Sequence, residues 1–362
     1  MKRLGDLWRQ VVGFDNLLRA FRKARRGKRR RPPVAGFELN LEKELLVLQR
    51  DLVCGDYRPG EYRLFSIYER KPRLIAAAPF RDRVVHHALL NVIEPPIDRR
   101  FIADSYACRT GKGVHAAVAR YQTWARHHAY ALKMDVARYF PTIDHDRLKD
   151  KLRRLIKDQE VLALLDRIID SGPPATTDEP LVYFPGDDLF TPLQRRVGLP
   201  IGNLTSQFFA NLYLDGFDHW VKEDLRAGPY LRYVDDMVVL GDDKGRLAEC
   251  RARVREALGL ERLRLHPDKA HIVPVAGGLD LLGYRVFPGQ RRLRNDNGWR
   301  FVRKLRRFAK AYARGRLNRE DFDPAVQSWI GHAGHADTLG LRDAFFSGIV
   351  FVRGAGHTAA GG

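Results

Sequence analysis

The stretch Tyr230-Leu-Arg-Tyr-Val-Asp-Asp-Met-Val-Val-Leu240 sets two adjacent carboxylates, Asp235 and Asp236, between short apolar and β-branched runs. That pattern predicts two strands with the acids at or beside the turn. Side chains alternate faces along a strand, so neighbouring acids cannot both point one way on a regular ladder. A tight bend lets one carboxylate reach a site while its neighbour supports it. The apolar flanks set this pair apart from Asp187-Asp188 and Asp242-Asp243, which sit among turn residues and read as solvated. Burying two carboxylates is costly unless a cation compensates them.

Well upstream, Ala131-Leu-Lys-Met-Asp-Val-Ala-Arg-Tyr-Phe140 delivers a single acid, Asp135, at the end of another apolar run, followed by aromatics and Pro141. Two strands that each present a carboxylate form the smallest cage for hard divalent ions; Mg²⁺ takes few protein carboxylates and keeps positions for phosphate and water. A pair of such ions can clamp the attacking and leaving oxygens of an in-line phosphoryl transfer. The blander reading is an Asp that caps a helix starting near Arg138.

The 362 residues are enough for two or three subdomains around a buried core. A net charge of +20 and a pI near 10.1 favour a polyanionic partner, nucleic acid before anionic membrane. Eight of the ten residues from Arg22 to Arg31 are basic, a run that also reads as a solvated arm. From Arg285 to Arg316 twelve basic residues face one acid, Asp296. There Leu293, Trp299, Phe301, Val302, Leu305, Phe308 and Tyr312 are interleaved with the cations, which suits a folded element laying a basic face on a phosphate backbone. Cys54, Cys108 and Cys250 lack paired spacing, so neither a zinc site nor a disulfide framework is predicted, and a reducing cytosol is the natural compartment. No secretory signal and no membrane-spanning apolar stretch is predicted.

Taken in order, residues 1 to 31 carry apolar positions at helical spacing, Pro32-Pro33 ends that unit, and Leu39 to Leu52 reads as an amphipathic helix. Tyr62 to Pro79 is strand-like, with Lys71 and Arg73 flanking the bend at Pro72; those cations suit a triphosphate or plain solvation equally. Arg81 to Ile93 is helical, and its neighbouring His86 and His87 are wrongly spaced for a metal. Arg109, Gly111, Lys112 and Gly113 precede a helix through Trp124 and suit an anionic phosphate, without phosphate-binding-loop spacing. A basic helix is expected over Asp146 to Ile169, then a Pro/Gly-rich projection from Ser171 to Arg196. Gly198-Leu-Pro-Ile-Gly-Asn-Leu-Thr-Ser-Gln207 opens a long helix toward Leu225, with Asn203 or Thr205 as its cap. Leu247 to Leu260 is helical, Arg264 to Val275 is a strand unit holding Lys269, and Leu279 to Phe287 is a strand pair. Helices around Asp323 to Trp329 and Leu339 to Phe346 precede a Gly-rich tail from Gly354 expected to be disordered.

From about residue 60 to 350 this order of segments resembles a reverse transcriptase. Asp135 with Phe140 resembles the first palm motif and Tyr233-Val-Asp-Asp236 the second; Lys269 lies in a segment like the next motif, and Leu282-Gly-Tyr284 resembles the primer grip. Group II intron-type enzymes have Pro-Gln-Gly before the long helix and Ser-Pro after it. Leu199-Pro-Ile-Gly202 and Thr205-Ser-Gln207 instead resemble the reverse transcriptases of diversity-generating retroelements, which copy a template RNA with errors at adenines. Retron and abortive-infection enzymes are similar in size.

The resemblance implies an α+β right-hand polymerase: a basic helical extension (1–60), fingers (61–130), a palm with an antiparallel sheet packed on helices (131–288, with an insertion at about 146–198), a short basic helical thumb (289–350) and a disordered tail (351–362). It implies that Asp135, Asp235 and Asp236 bind two Mg²⁺ ions, which Mn²⁺ can replace. The nucleotide would meet Lys71, Arg73, Val136, Tyr139, Phe140 (a gate against a 2′-hydroxyl), Ile201, Gly202 and Lys269. Ile201 stands where a glutamine would hydrogen-bond the sugar and template, a physical motive for low fidelity. The implied partners are template RNA, the RNA–cDNA duplex, dNTPs and a small basic ring-forming accessory protein, with no membrane, in the cytoplasm of a bacterial cell. The rival of another class is a non-catalytic RNA-binding scaffold; a nucleotidyl cyclase fits poorly, because the basic C-terminal region would have no purpose.

Overall fold

The computed structural model describes residues 3–68, 72–173 and 181–353. The basic run is anchored on a packed helix: α1 (Trp8–Val12) and α2 (Phe14–Ala24) bury Val11, Leu17, Ala20 and Phe21, while Arg22 and Lys23 at the end of α2 and most of the cations through Arg31 are exposed. Pro32-Pro33 opens a helix rather than ending a unit: α3 spans Pro32–Leu39, and proline at the first helical turn loses no needed donor. Then come α4 (Leu41–Val53), strands β1 (Arg63–Tyr68) and β2 (Pro72–Ala77) in an antiparallel hairpin, and α5 (Phe80–Asp98), which lies along α2. On α5, His86 is buried and burial holds its pKa down to about 3, while His87 is half-buried.

Helix α6 (Val114–Ala125) leads to β3 (Tyr130–Asp135) and the single turn α7 (Tyr139–Thr142). The expected helix over Asp146 to Ile169 is two, α8 (His145–Leu155) and α9 (Gln159–Asp170), because Asp158 caps a fresh start with its carboxylate on the Val161 amide. After α10 (Thr191–Gln194), the long helix is likewise split, into α11 (Leu204–Tyr213) and α12 (Asp215–Glu223). Strands β4 (Tyr230–Tyr233) and β5 (Asp236–Gly241), helix α13 (Lys244–Leu260) and strand β6 (His271–Pro274) follow; Lys269 lies in a 3₁₀ turn before β6. The expected strand pair is the start of a three-stranded meander: β7 (Leu279–Leu281), β8 (Tyr284–Val286) and β9 (Arg291–Leu293). The chain closes with α14 (Asn295–Ala313), α15 (Arg319–Ala333) and α16 (Leu339–Ser347). Beyond them Phe351 stacks on Phe322 with centroids 4.7 Å apart; the rest of the expected tail, 354–362, lies outside the described residues.

The fold is α+β with antiparallel sheets, and the sheet that matters has the order β4-β5-β3-β6. Its two faces bury against different cores. Leu132, Met134, Tyr230, Met237 and Val239 join the core built with α2, α5, α8 and α9; Ala131, Leu231, Val238 and Leu240 join a second core with α6, β8, α14 and α15. Period-2 alternation thus decides which face each polar residue of these strands occupies.

Of the two acid pairs read as solvated, Asp187 needs correction: its side chain is fully buried against Arg195 and Arg262 (3.3 Å), joining an ionic knot in which Asp144 meets Arg262 at 2.7 Å. Asp188, Asp242 and Asp243 are exposed as expected, with Asp243 capping α13 and Asp242 accepting from the Ala129 amide.

Candidate active site

Between β4 and β5 the loop is two residues, Val234 and Asp235, since Tyr233 pairs with Asp236. Val234 has φ +58°. A positive φ at the first loop position gives a hairpin turn that matches strand twist, but it is a glycine conformation, and for a β-branched residue it is strained. Such strain costs on the order of 1–3 kcal/mol and persists only where surrounding contacts over-determine it. Here the contact comes from the opposite face of the sheet. Arg232 is wholly buried; its Nε lies 2.8 Å from Asp218 Oδ1 and its Nη2 2.7 Å from Oδ2. The guanidinium also donates to the Val234 carbonyl (3.0 Å) and the Asn211 carbonyl (3.2 Å), while the Tyr230 hydroxyl donates to Asp218 at 2.7 Å. Burial pulls the guanidinium pKa down, yet Asp218 outweighs it and leaves it raised.

Register brings the acids together. Asp135 stands directly opposite Asp236, which places both side chains on one face, and the Val136 amide donates to the Asp235 carbonyl at 3.1 Å. Asp135 therefore ends a strand and does not cap a helix. Burial, then the charges of Asp236 and Asp135, push the Asp235 carboxyl up to about 6; burial also raises Asp236. Two ammonium groups answer this charge: Lys269 Nζ is 2.8 Å from Asp135 Oδ2 and Lys133 Nζ 3.7 Å from Asp236 Oδ1.

This donor set fits a hard divalent cation in chemistry: all-oxygen ligands, half to fully buried, with mutual repulsion that a cation relieves. Among the described residues no group of three or more His, Cys, Asp or Glu closes into a ready cage, and Lys269 stands on Asp135 where a second positive charge would go.

Around the acids the predicted nucleotide contacts divide. Phe140 is half-buried, with its carbonyl held by the Leu199 amide at 2.8 Å. Tyr139 cannot contact a substrate: it is buried, its hydroxyl donates to the Ala210 carbonyl at 2.5 Å, and burial raises its pKa well above the ordinary value. The Val136 side chain is buried too, leaving only backbone for a ligand. Ile201 and Gly202 abut β2: the Ala76 amide donates to the Ile201 carbonyl at 3.0 Å, and a Cβ on Gly202 (φ +110°) would lie 2.8 Å from Ile75 Cγ2. Only glycine fits there. Asn203 stands at the N-cap position of α11, but its side chain makes no capping hydrogen bond. Its amide works as an extra strand, donating to Ala76 O at 2.9 Å and accepting from the Ala78 amide at 3.3 Å. Arg73 is exposed on β2; Lys71 lies outside the described residues. Arg109 and Lys112 do not form a phosphate site, because Arg109 is consumed by the Asp98 carboxylate (2.6 Å) and three backbone carbonyls and Lys112 by the Ala103 carbonyl at 2.7 Å.

A trough of about 970 Å³ runs past Tyr68, Gly283, the half-buried Arg300 and the exposed cations Arg303, Lys304 and Arg307 of α14.

The family model for reverse transcriptase (RNA-dependent DNA polymerase) matches residues 66–286, more than half of the sequence. The chain belongs to the reverse transcriptase family. Its α+β architecture is that of the reverse transcriptase polymerase fold, and domains of this family generally use divalent metals. It is 26% identical to protein YkfC of Escherichia coli over 292 residues, 69% of this chain and 72% of that one. Shorter matches join it to a nuclear intron maturase of Arabidopsis thaliana mitochondria (31% over 87 residues, 24% of this chain and 12% of the maturase). Another joins it to a 91 kDa cob-intron protein of Schizosaccharomyces pombe (26% over 172 residues, 48% and 20%). Of those two intron proteins it spans no more than a fifth. Among the described residues no helix is long and apolar enough to cross a membrane.

Sequence reasoning missed Arg232, Asp218 and Lys133, and gave Asn203 only as a helix cap without its contact to β2. Lys133 was readable, since it lies two residues before Asp135 on the same face. Arg232 gave a fainter signal, as a charge inside an otherwise apolar strand. Asp218 and the β2 contact of Asn203 depend on tertiary structure and gave none.

Proposed function

We propose that this chain is an RNA-directed DNA polymerase whose reaction centre is Asp135, Asp235 and Asp236. The observation that carries this reading is the cross-strand register of Asp135 and Asp236 beside a strained turn that presents Asp235, in a chain that also carries a basic trough. A primer 3′-oxygen forms a bond to the α-phosphorus of a dNTP, the bond to the bridging oxygen breaks, and pyrophosphate leaves. Two divalent ions, Mg²⁺ or Mn²⁺, held by the three aspartates would supply charge neutralisation at the phosphoryl oxygens. The chain's own residues position and hold charge. Arg73, with Lys71, takes the triphosphate from the β1–β2 hairpin; Phe140 walls the sugar; Lys269 holds Asp135 in place; Ile201 and Gly202 floor the template side. The trough cations take duplex phosphates.

A finer reading follows from Leu199-Pro-Ile-Gly202 and Thr205-Ser-Gln207. It is a retroelement enzyme, error-prone at template adenines, served by a structured template RNA and a small basic accessory protein. Primer extension on an RNA template with Mg²⁺ and dNTPs, with sequencing of the product, tests both levels. Extension that Asp235→Asn abolishes supports the polymerase, and errors concentrated at adenines support the finer type. Full extension by the variant would remove the proposed centre.

A further inference from the structure

Helix α14 presents two separate basic faces, and the trough uses one of them. On its other side, α14 and α16 enclose a groove of about 390 Å³, lined by Leu293, Trp299, Val302, Arg306, Leu341 and Phe345 among others; no residue lines both groove and trough. Trp299 is 67% exposed at its edge, an unusual position for the largest apolar side chain on a helix whose apolar stripe (Phe301, Val302, Leu305) is otherwise buried. Trp299, Arg306 and Lys310 stand at seven- and four-residue steps and so share one edge of the helix. Both cations are exposed, no acid among the described residues lines the groove, and the nearby Asp296 is already taken by Arg294 and Arg300.

We infer that this groove takes an unpaired base of the template RNA, stacked on Trp299, with the adjoining phosphates on Arg306 and Lys310. The inference rests on the polymerase reading, which supplies a template strand extending beyond its duplex as a single strand. An exposed aromatic beside unpaired cations is the platform on which single-stranded nucleic acid binds, since every base has a π-face and every linkage a charge. A protein partner burying this edge would strand the cations unless it brought matching acids. RNA meets the apolar wall and the cations with one ligand.

The test is fluorescence anisotropy on the full chain with two labelled RNA–DNA hybrids. One is blunt; the other carries a single-stranded RNA tail of about a dozen nucleotides, long enough for one binding tract, placed at the 5′ or 3′ end in turn. Trp299→Ala should weaken the tailed hybrid about tenfold, the scale of one lost stack, and leave the blunt one unchanged. Trp299→Phe should restore most of the loss, and Arg306→Ala should flatten the salt dependence of the tailed hybrid alone. Equal losses on both hybrids would assign Trp299 to the duplex track and overturn the inference. No change on either would overturn it as well, and so would unchanged tail binding with self-association that Trp299→Ala removes, which would make the groove a protein interface. Primer extension measured in parallel reports the reaction centre, so failure of the polymerase reading shows there and not in the tail difference.

Discussion

The β4–β5 hairpin is embedded in a four-stranded sheet with a core on each face, whereas β1–β2 stands as a two-stranded ribbon exposed over most of its length. In β1–β2, Leu64, Phe65 and Leu74 are about half exposed and Tyr68 more so. Its anchorage is at the base, where Ala76 and Ala78 meet Ile201 and Asn203. The turn at Val234-Asp235 instead has a buried guanidinium beneath it. A two-stranded ribbon has little stability of its own, so it can move as a unit about its base, while the embedded turn keeps its carboxylates fixed despite strain. On the proposed reading, the embedded hairpin holds the reaction centre and the outer one carries the cations that meet the nucleotide.

The largest effect should come from Asp235→Asn. Extension falls by about 10³-fold or more, a barrier rise of about 4 kcal/mol. The same change should stabilise the metal-free protein at neutral pH. With the Asp235 pKa pushed up to about 6, the native state binds a proton more tightly than the unfolded chain. Stability therefore falls as pH rises from about 4 to 6 and stays lower above that window. Asparagine removes the penalty, by about 1–3 kcal/mol. Melting curves at pH 5 and pH 7.5 check the sign: the variant's advantage grows with pH. An advantage that shrinks with pH would mean that Asp235 is not crowded as described.

Next in size is Arg232→Met. It leaves Asp218 buried and unpaired, which should cost about 3–5 kcal/mol in urea unfolding. Replacing Asp218 as well, by Leu, should recover part of that cost without restoring extension, because the Val234 carbonyl still lacks its donor. A single-mutant cost below about 1 kcal/mol, the scale of an exposed pair, would break the contrast between the two hairpins.

Much of this contrast was legible in the residues. Alternation located Asp135 and Asp236 at strand ends, and Pro72 with its flanking cations located the outer hairpin. Helix breaks at Asp158 and Leu214 were not legible, since the apolar periodicity continues through both. Tyr139 looked like a site residue because it neighbours Phe140, but α7 turns it inward onto Ala210. Asp187 looked like a solvated turn residue because one of the arginines that bury it, Arg262, comes from a distant part of the chain. Local pattern carries faces and turns; it does not carry which partner fills a buried position.

The mobile side of the comparison is sharpened by Asn203→Ala. Loss of two backbone contacts at the ribbon's base should cost only about 1–2 kcal/mol of stability, yet raise KM for dNTP several-fold with a smaller change in kcat, because Arg73 is then delivered less firmly. A fall in kcat alone would place Asn203 in the reaction centre instead. The smallest effect is expected one step earlier in the same loop. Ile201 offers its carbonyl to Ala76, and on the proposed reading its apolar side chain borders the template. Ile201→Gln keeps the carbonyl and adds a polar group that a mispaired nucleotide leaves unsatisfied, so misincorporation opposite template adenine should drop a few-fold, with overall extension nearly unchanged. If fidelity stays the same while extension slows, the side chain at 201 serves the ribbon's anchorage and not substrate choice, and the outer hairpin alone governs which nucleotide is accepted.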